Sequence, residues 1–180
     1  MLTIVIPDRE GFDEAKQEFV QMKGTTLHLE HSLVSISKWE AKYKKPFLSK
    51  EPKTTEEIFE YVKFMTLTQN VNPDVYLRLT KADWDKISEY IEDPMTASSV
   101  HEPPSTKKSS EQVTSELIYW WMTALQIPWE AQKWHLNRLM MLIRIGNVKS
   151  QPPKKMSKKD ILANNAKLNA ERRKKLGTKG

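Results

Sequence analysis

A mainly α (α+β) fold is predicted for this 180-residue chain by three observations. Apolar residues recur at i, i+3, i+4 and i+7 in several separate runs, the spacing of helices that bury one face. Threonines followed within a turn by carboxylates stand before two of those runs, at Thr54 and Thr80, as helix caps do. The one β-branched run, Leu2–Ile6, lies at the start of the chain and stops at Pro7, the pattern of a short strand. Together these predict a single helical domain over residues 1–149, with a small N-terminal β-hairpin and a loop at 94–110. A basic C-terminal tail, expected to be disordered, follows over 150–180.

Leu2–Ile6 is expected to pair with Thr25–Leu29, and between them Phe12, Ala15, Phe19 and Met22 form a short helical face or a loose excursion. A helix over 32–43 carries Leu33, Ile36, Trp39 and Glu40 and closes before Pro46, because the residue preceding a proline avoids the α region. A second starts at Thr54 and presents Ile58, Tyr61, Val62 and Met65. Residues 73–80 form a helical turn. A further helix is capped by Thr80 and Asp83, carries Trp84, Ile87, Tyr90 and Ile91, and ends at Asp93-Pro94.

The stretch from Ser115 to Ile145 holds four of the six tryptophans. Leu117, Trp120, Trp121, Ala124 and Leu125 are expected to line the buried face of one helix. Pro128 suits a first helical position, so a second helix is expected from there, with Gln132, Leu136, Leu139, Met140 and Ile143 inward. Gly146-Asn147 reads as its stop, which makes the stretch an αα-hairpin. Aromatics at this spacing are more often core than a ligand box. Yet adjacent Trp120 and Trp121 point about 100° apart on a helix. One is therefore expected in the core and the other at a partner or self-interface, together with Trp134 or Met141.

Charge is unevenly placed. Residues 150–180 carry ten Lys/Arg against Asp160 and Glu171, a net of +8; the whole chain is +6, which leaves residues 1–149 at −2. The tail, with Lys154, Lys155, Arg172 and Arg173 as its candidate contacts, can bind nucleic acid through counterion release, dock on an acidic helical partner, or act as a solvated tail. It lacks the interleaved aromatics that stack on bases, so nucleic-acid binding is expected to be weak.

No cysteine is present, which excludes disulfides, thiolate-zinc sites and a thiol nucleophile. The four histidines show no third-ligand spacing, so they read as boundary or surface residues and no metal is expected. The five glycines form no phosphate-binding loop and no serine sits in a nucleophile elbow, so neither catalysis nor a cofactor is expected. The start of the chain runs into Pro7, Asp8, Arg9 and Glu10 and does not read as a signal peptide. The longest apolar concentration, around Tyr119 to Ile127, falls well short of the ~20 residues of a membrane span. A soluble cytosolic protein with no membrane partner is expected.

His31–Glu40 (HSLVSISKWE), Thr114–Met122 (TSELIYWWM), Gln132–Leu139 (QKWHLNRL) and Lys154–Ser157 (KKMS), with Arg172, Arg173 and Gly177–Gly180, form ordered blocks. In these the chain resembles the tail assembly chaperones of long-tailed, siphovirus-type bacteriophages and prophages, over residues 25 to 180. The resemblance implies a non-enzymatic helper in the cytoplasm of the bacterial host. Such a helper associates with the tape measure protein and the tail-tube protein, self-associates, and leaves before the tail is finished. The alternatives are a structural virion component of the tail or connector, and a nucleic-acid-binding accessory protein acting through the basic tail.

Overall fold

The structure, a computed structural model, describes residues 1–13, 17–100, 112–150 and 158–177. Two compact units divide the chain, Met1–Val148 and Lys149–Gly180. The first unit is helical with small antiparallel sheets at its N-terminal end. Strand β1 (Leu2–Ile6) pairs with β4 (Thr25–Leu29), Ile4 opposite Leu27. Alternate residues Ile4, Ile6, Leu27 and Leu29 are buried while Val5 is exposed, as a pleated strand with one face on the core requires.

Among the described residues, the excursion between these strands is not helical. Strands β2 (Arg9–Asp13) and β3 (Glu18–Met22) form a second antiparallel ribbon, with Gly11 opposite Val20. Phe19 and Met22, expected with Phe12 and Ala15 on a short helical face or in a loose excursion, sit on an extended ribbon with exposed side chains, and Ala15 lies outside the described residues. Gly24 explains part of this, since a Cβ there would collide with the Ile6 carbonyl where the chain turns back. The Arg78 guanidinium fastens the same turn by donating to the carbonyls of Pro7 and Lys23.

Local chemistry sets the helices of the first half. Ser32 caps α1 (Leu33–Tyr43), which ends at Lys44 in the left-handed region. Thr54 and Glu57 form a capping box on α2 (Thr55–Met65), and Thr80 and Asp83 form another on α3 (Lys81–Glu92). A 3-10 turn, Pro73–Arg78, is capped by Asn72. Past α2, the backbone of Met65 and Leu67 bonds to Glu30 and His28, so β4 has a backbone partner on both sides.

Helix α4 (Ser115–Ala124) packs on α1. Its buried residues are Ser115, Ile118 and Met122, not the expected row of Leu117, Trp120, Trp121, Ala124 and Leu125, of which Trp120 and Ala124 are exposed and the others half-buried. The cause lies across the core. The buried Glu40 carboxylate accepts from the amide of Phe47 at 2.7 Å and from that of Ser115 at 2.8 Å, which fixes how α4 is rotated.

The chain after Pro128 also departs from the expectation of one continuous helix. Trp129–Lys133 is a 3-10 turn, Trp134 is extended, and His135 bridges to Ser32. Only then does α5 (Leu136–Ser150) begin, with the Leu136 amide donating to the His31 carbonyl at 2.7 Å. Leu136, Leu139 and Ile143 face the core as expected, whereas Gln132 belongs to the turn. Gly146-Asn147 does not stop α5. A Cβ on Gly146 would stand 2.9 Å from Leu125 Cδ1, so the glycine gives Leu125 room to pack. Residues 95–100 lack regular structure, and most of the expected 94–110 loop lies outside the described residues.

In the second unit Lys158–Leu176 forms α6. The tail, expected to be disordered, is thus helical over this stretch, and its described side chains are all exposed. Its alanines, leucines, lysines and arginines favour helix, while the absence of a coherent apolar face leaves nothing to bury.

Glu40→Ala strands two buried amides and is expected to lower stability by about 2–5 kcal/mol. Glu40→Gln, which keeps one accepting oxygen but turns an NH2 toward the other amide, should recover only part of the loss. Urea midpoints of the three proteins check this, and equal midpoints would contradict it.

Candidate functional site

Because Ser115, Ile118 and Met122 take the inner side of α4, the adjacent tryptophans diverge. Trp121 is half-buried against the core, and Trp120, one step round the helix, is 63% exposed. Tyr119 stacks on Trp129 with ring centroids 5.1 Å apart, and its hydroxyl donates to Gln132 Oε1 at 3.1 Å. Trp129 is itself exposed, so α4 and the following turn carry two large aromatic surfaces on rigid backbone.

Trp134, 37% exposed, lies under the Arg138 guanidinium at 4.7 Å from its ring centroid. It walls a cleft of about 260 Å³ with Glu30, Tyr90, Met95, Lys133 and Arg138. Met141, half-buried, lines a separate depression beside Glu92, Asn137 and Arg144, and Trp120 lines neither. The structure thus places Trp120, Trp134 and Met141 at three locations of the first unit. Arg172 and Arg173 are exposed on α6, while Lys154 and Lys155 lie outside the described residues.

Two features escaped the sequence. Thr55, Ile58, Phe59, Tyr76, Leu77, Leu79 and Trp84 line an apolar groove of about 420 Å³ between α2, the Pro73–Arg78 turn and α3. The Phe59 ring stands 6.2 Å from those of both Tyr76 and Trp84, with the Lys63 ammonium 4.8 Å from its centre. Ile58, expected on the apolar face of α2 with Tyr61, Val62 and Met65, is instead exposed beside this groove, as is Leu77.

The other feature is a histidine pair in the core. His31 and His135 are both buried, with ring centroids 5.0 Å apart. His135 Nε2 stands 2.9 Å from the Tyr90 carbonyl, which only accepts, and its Nδ1 takes the Asn137 amide at 3.3 Å. Those two partners require the Nε2–H tautomer. His31 Nδ1 lies 2.5 Å from the Tyr61 hydroxyl, whose proton burial and the Glu30 charge hold well above the ordinary tyrosine range. Burial first, and the neighbouring His135 second, lower the His31 pKa to about 3. The arrangement ties the end of β4 to α2, α3 and α5 and acts as a structural junction. Among the described residues no group of three or more His, Cys, Asp or Glu is placed to hold a metal ion.

His31 protonates in the unfolded chain near pH 6.5 but in the folded chain only near pH 3. The unfolded state therefore binds more protons in that window, and stability falls as pH drops from about 6.5 toward 3, by up to ~1.4 kcal/mol per pH unit. Between pH 6.5 and 5, ahead of most carboxylate titration, His31→Gln is expected to flatten the dependence of the melting temperature on pH. An unchanged slope would show that His31 does not set it.

Compared with known proteins, the chain matches no family model, no curated protein and no solved structure.

Proposed function

We propose that this chain is a non-enzymatic phage tail assembly chaperone, which binds apolar helical segments of the tape measure protein in the cytoplasm of the bacterial host and helps assemble the tail tube. The observation that carries the reading is Trp120, 63% exposed on a helix whose opposite row is buried. A tryptophan held out to solvent on rigid backbone is the residue type that anchors interfaces, because it buries a large area with little side-chain entropy to lose. The groove at Ile58, Phe59, Leu77 and Trp84 adds a second apolar surface of the kind that receives a helix.

The ordered blocks around Trp39, Trp120–Trp121 and Trp134 supply the identity of the partner through their resemblance to the chaperone family. A long helical tape measure chain exposes apolar stripes before the tube forms around it, and many copies of a small binder would keep those stripes from aggregating. Self-association and contact with the tail-tube protein belong to the same reading. Among the described residues, no helix is long and apolar enough to cross a membrane.

Trp120→Ala is expected to leave the melting curve almost unchanged while weakening capture of a recombinant tape measure fragment by ~2 kcal/mol or more. Trp121→Ala, half in the core, should instead cost about 2–3 kcal/mol of stability. The two variants are measured for melting temperature and for co-purification with the fragment. The protein should also be present in extracts of infected cells and absent from purified particles, and stoichiometric presence in mature tails would replace the chaperone with a structural virion component.

A further inference from the structure

Lys133 at the end of the Trp129–Lys133 turn, Trp134 on the extended step after it and Arg138 in α5 line one cleft. The carboxylate that lines the cleft is already engaged. Glu30 takes the Tyr90 hydroxyl on one oxygen at 2.7 Å and the Met1 α-amino group on the other at 3.0 Å. Among the described residues, neither Lys133 nor Arg138 has a carboxylate at ion-pair distance. The cleft therefore combines two uncompensated cations with an indole wall and the apolar side chain of Met95, over buried tyrosine and histidine whose hydrogen bonds are made within the fold.

We infer that this cleft is a docking site for a carboxylate on an apolar-flanked helical segment of a partner protein. The cations meet the carboxylate, and Trp134, steadied by Arg138, covers the apolar neighbour. Charge and size favour this occupant. The chain's own tail, net +8, repeats the sign of the cleft, and two cations beside one indole match a single carboxylate with an apolar neighbour better than a run of phosphates. The inference rests on the reading of this chain as a partner-binding protein and adds the chemistry of the segment it takes.

The test uses the full chain and three fluorescent helical peptides that share one Leu/Phe stripe and differ only in flanking Glu, Gln or Lys. Their affinities are read by anisotropy at physiological salt. The Glu peptide is expected to bind about ten-fold tighter than the Gln peptide, and the Lys peptide weakest. Lys133→Glu with Arg138→Glu should lower Glu-peptide affinity about ten-fold and raise that of the Lys peptide. Lys50→Glu with Arg144→Glu makes the same change of net charge at exposed sites outside the cleft and should do neither, which separates the cleft from attraction to the basic tail. Trp134→Ala should weaken all three peptides with an unchanged melt.

Equal binding of the three peptides, or equal effects of the two double reversals, would overturn the inference. A short single-stranded oligonucleotide that outcompetes the Glu peptide on the native chain but not on the Lys133/Arg138 reversal would assign the cleft to nucleic acid instead. Loss of self-association in that reversal without any peptide binding would assign it to a second copy. Success here combined with failure to capture a tape measure fragment would leave the acidic site standing and remove the identity of the partner, so the two readings fail separately.

Discussion

Glu40 lies in α1 with its carboxylate enclosed between the backbone amides of Phe47 and Ser115. Taking a carboxylate out of water costs several kcal/mol. Here the cost is offset by two charge-assisted hydrogen bonds and by the positive end of α4, whose first residue is Ser115. One bond holds the loop after α1, which carries Phe47 onto Trp39 and Tyr61. The other sets where α4 starts and which of its sides faces α1. The exposure of Trp120 follows from that rotation: with Ile118 and Met122 inward, its position on the helix is outward.

A second set of polar contacts performs the same service for α5. The His31 carbonyl receives the Leu136 amide, and the His135 ring reaches the Tyr90 backbone. Between them they fix the extended step at Trp134 and hold Arg138 above its ring. His31, Tyr61, Tyr90 and His135 are thus engaged with partners inside the fold, while Trp120, Trp134 and Arg138 stand at the surface. Such an arrangement fits recognition by a preformed surface, for which little ordering entropy is lost on binding.

What could be read in the sequence was what is local. Thr54 with Glu57 and Thr80 with Asp83 close their capping boxes within one turn, so the starts of α2 and α3 follow from a few residues each. The pairing of Leu2–Ile6 with Thr25–Leu29 could likewise be inferred from two β-branched or apolar runs. The rotation of α4 could not, because Leu117, Ile118, Trp120, Trp121, Met122 and Leu125 reach too far round the helix for periodicity to choose a side. The choice is made by Glu40, distant in sequence. Pro128 and Gly146 misled for a related reason. Each has a common local role, first helical position or helix stop, and each serves a tertiary contact instead, the turn that leads to the Ser32–His135 bridge and the seat of Leu125. Of the site, the divergence of Trp120 and Trp121 was legible from 100° per residue, whereas the buried His31–His135 pair and the Phe59–Trp84 groove depend on contacts between distant segments.

The proposed binding surface is built on tryptophans, and the six indole N–H groups report on it one by one in a nitrogen-labelled sample. Trp39 donates its indole N–H to the Glu57 carbonyl at 3.0 Å in the core and serves as the internal reference. On titration with a tape measure fragment, the signals of Trp120 and Trp134 are expected to shift or broaden while that of Trp39 stays in place. A fragment that moves Trp39, or that binds while Trp120 and Trp134 remain unperturbed, would contradict the assignment of these outward aromatics as the binding surface.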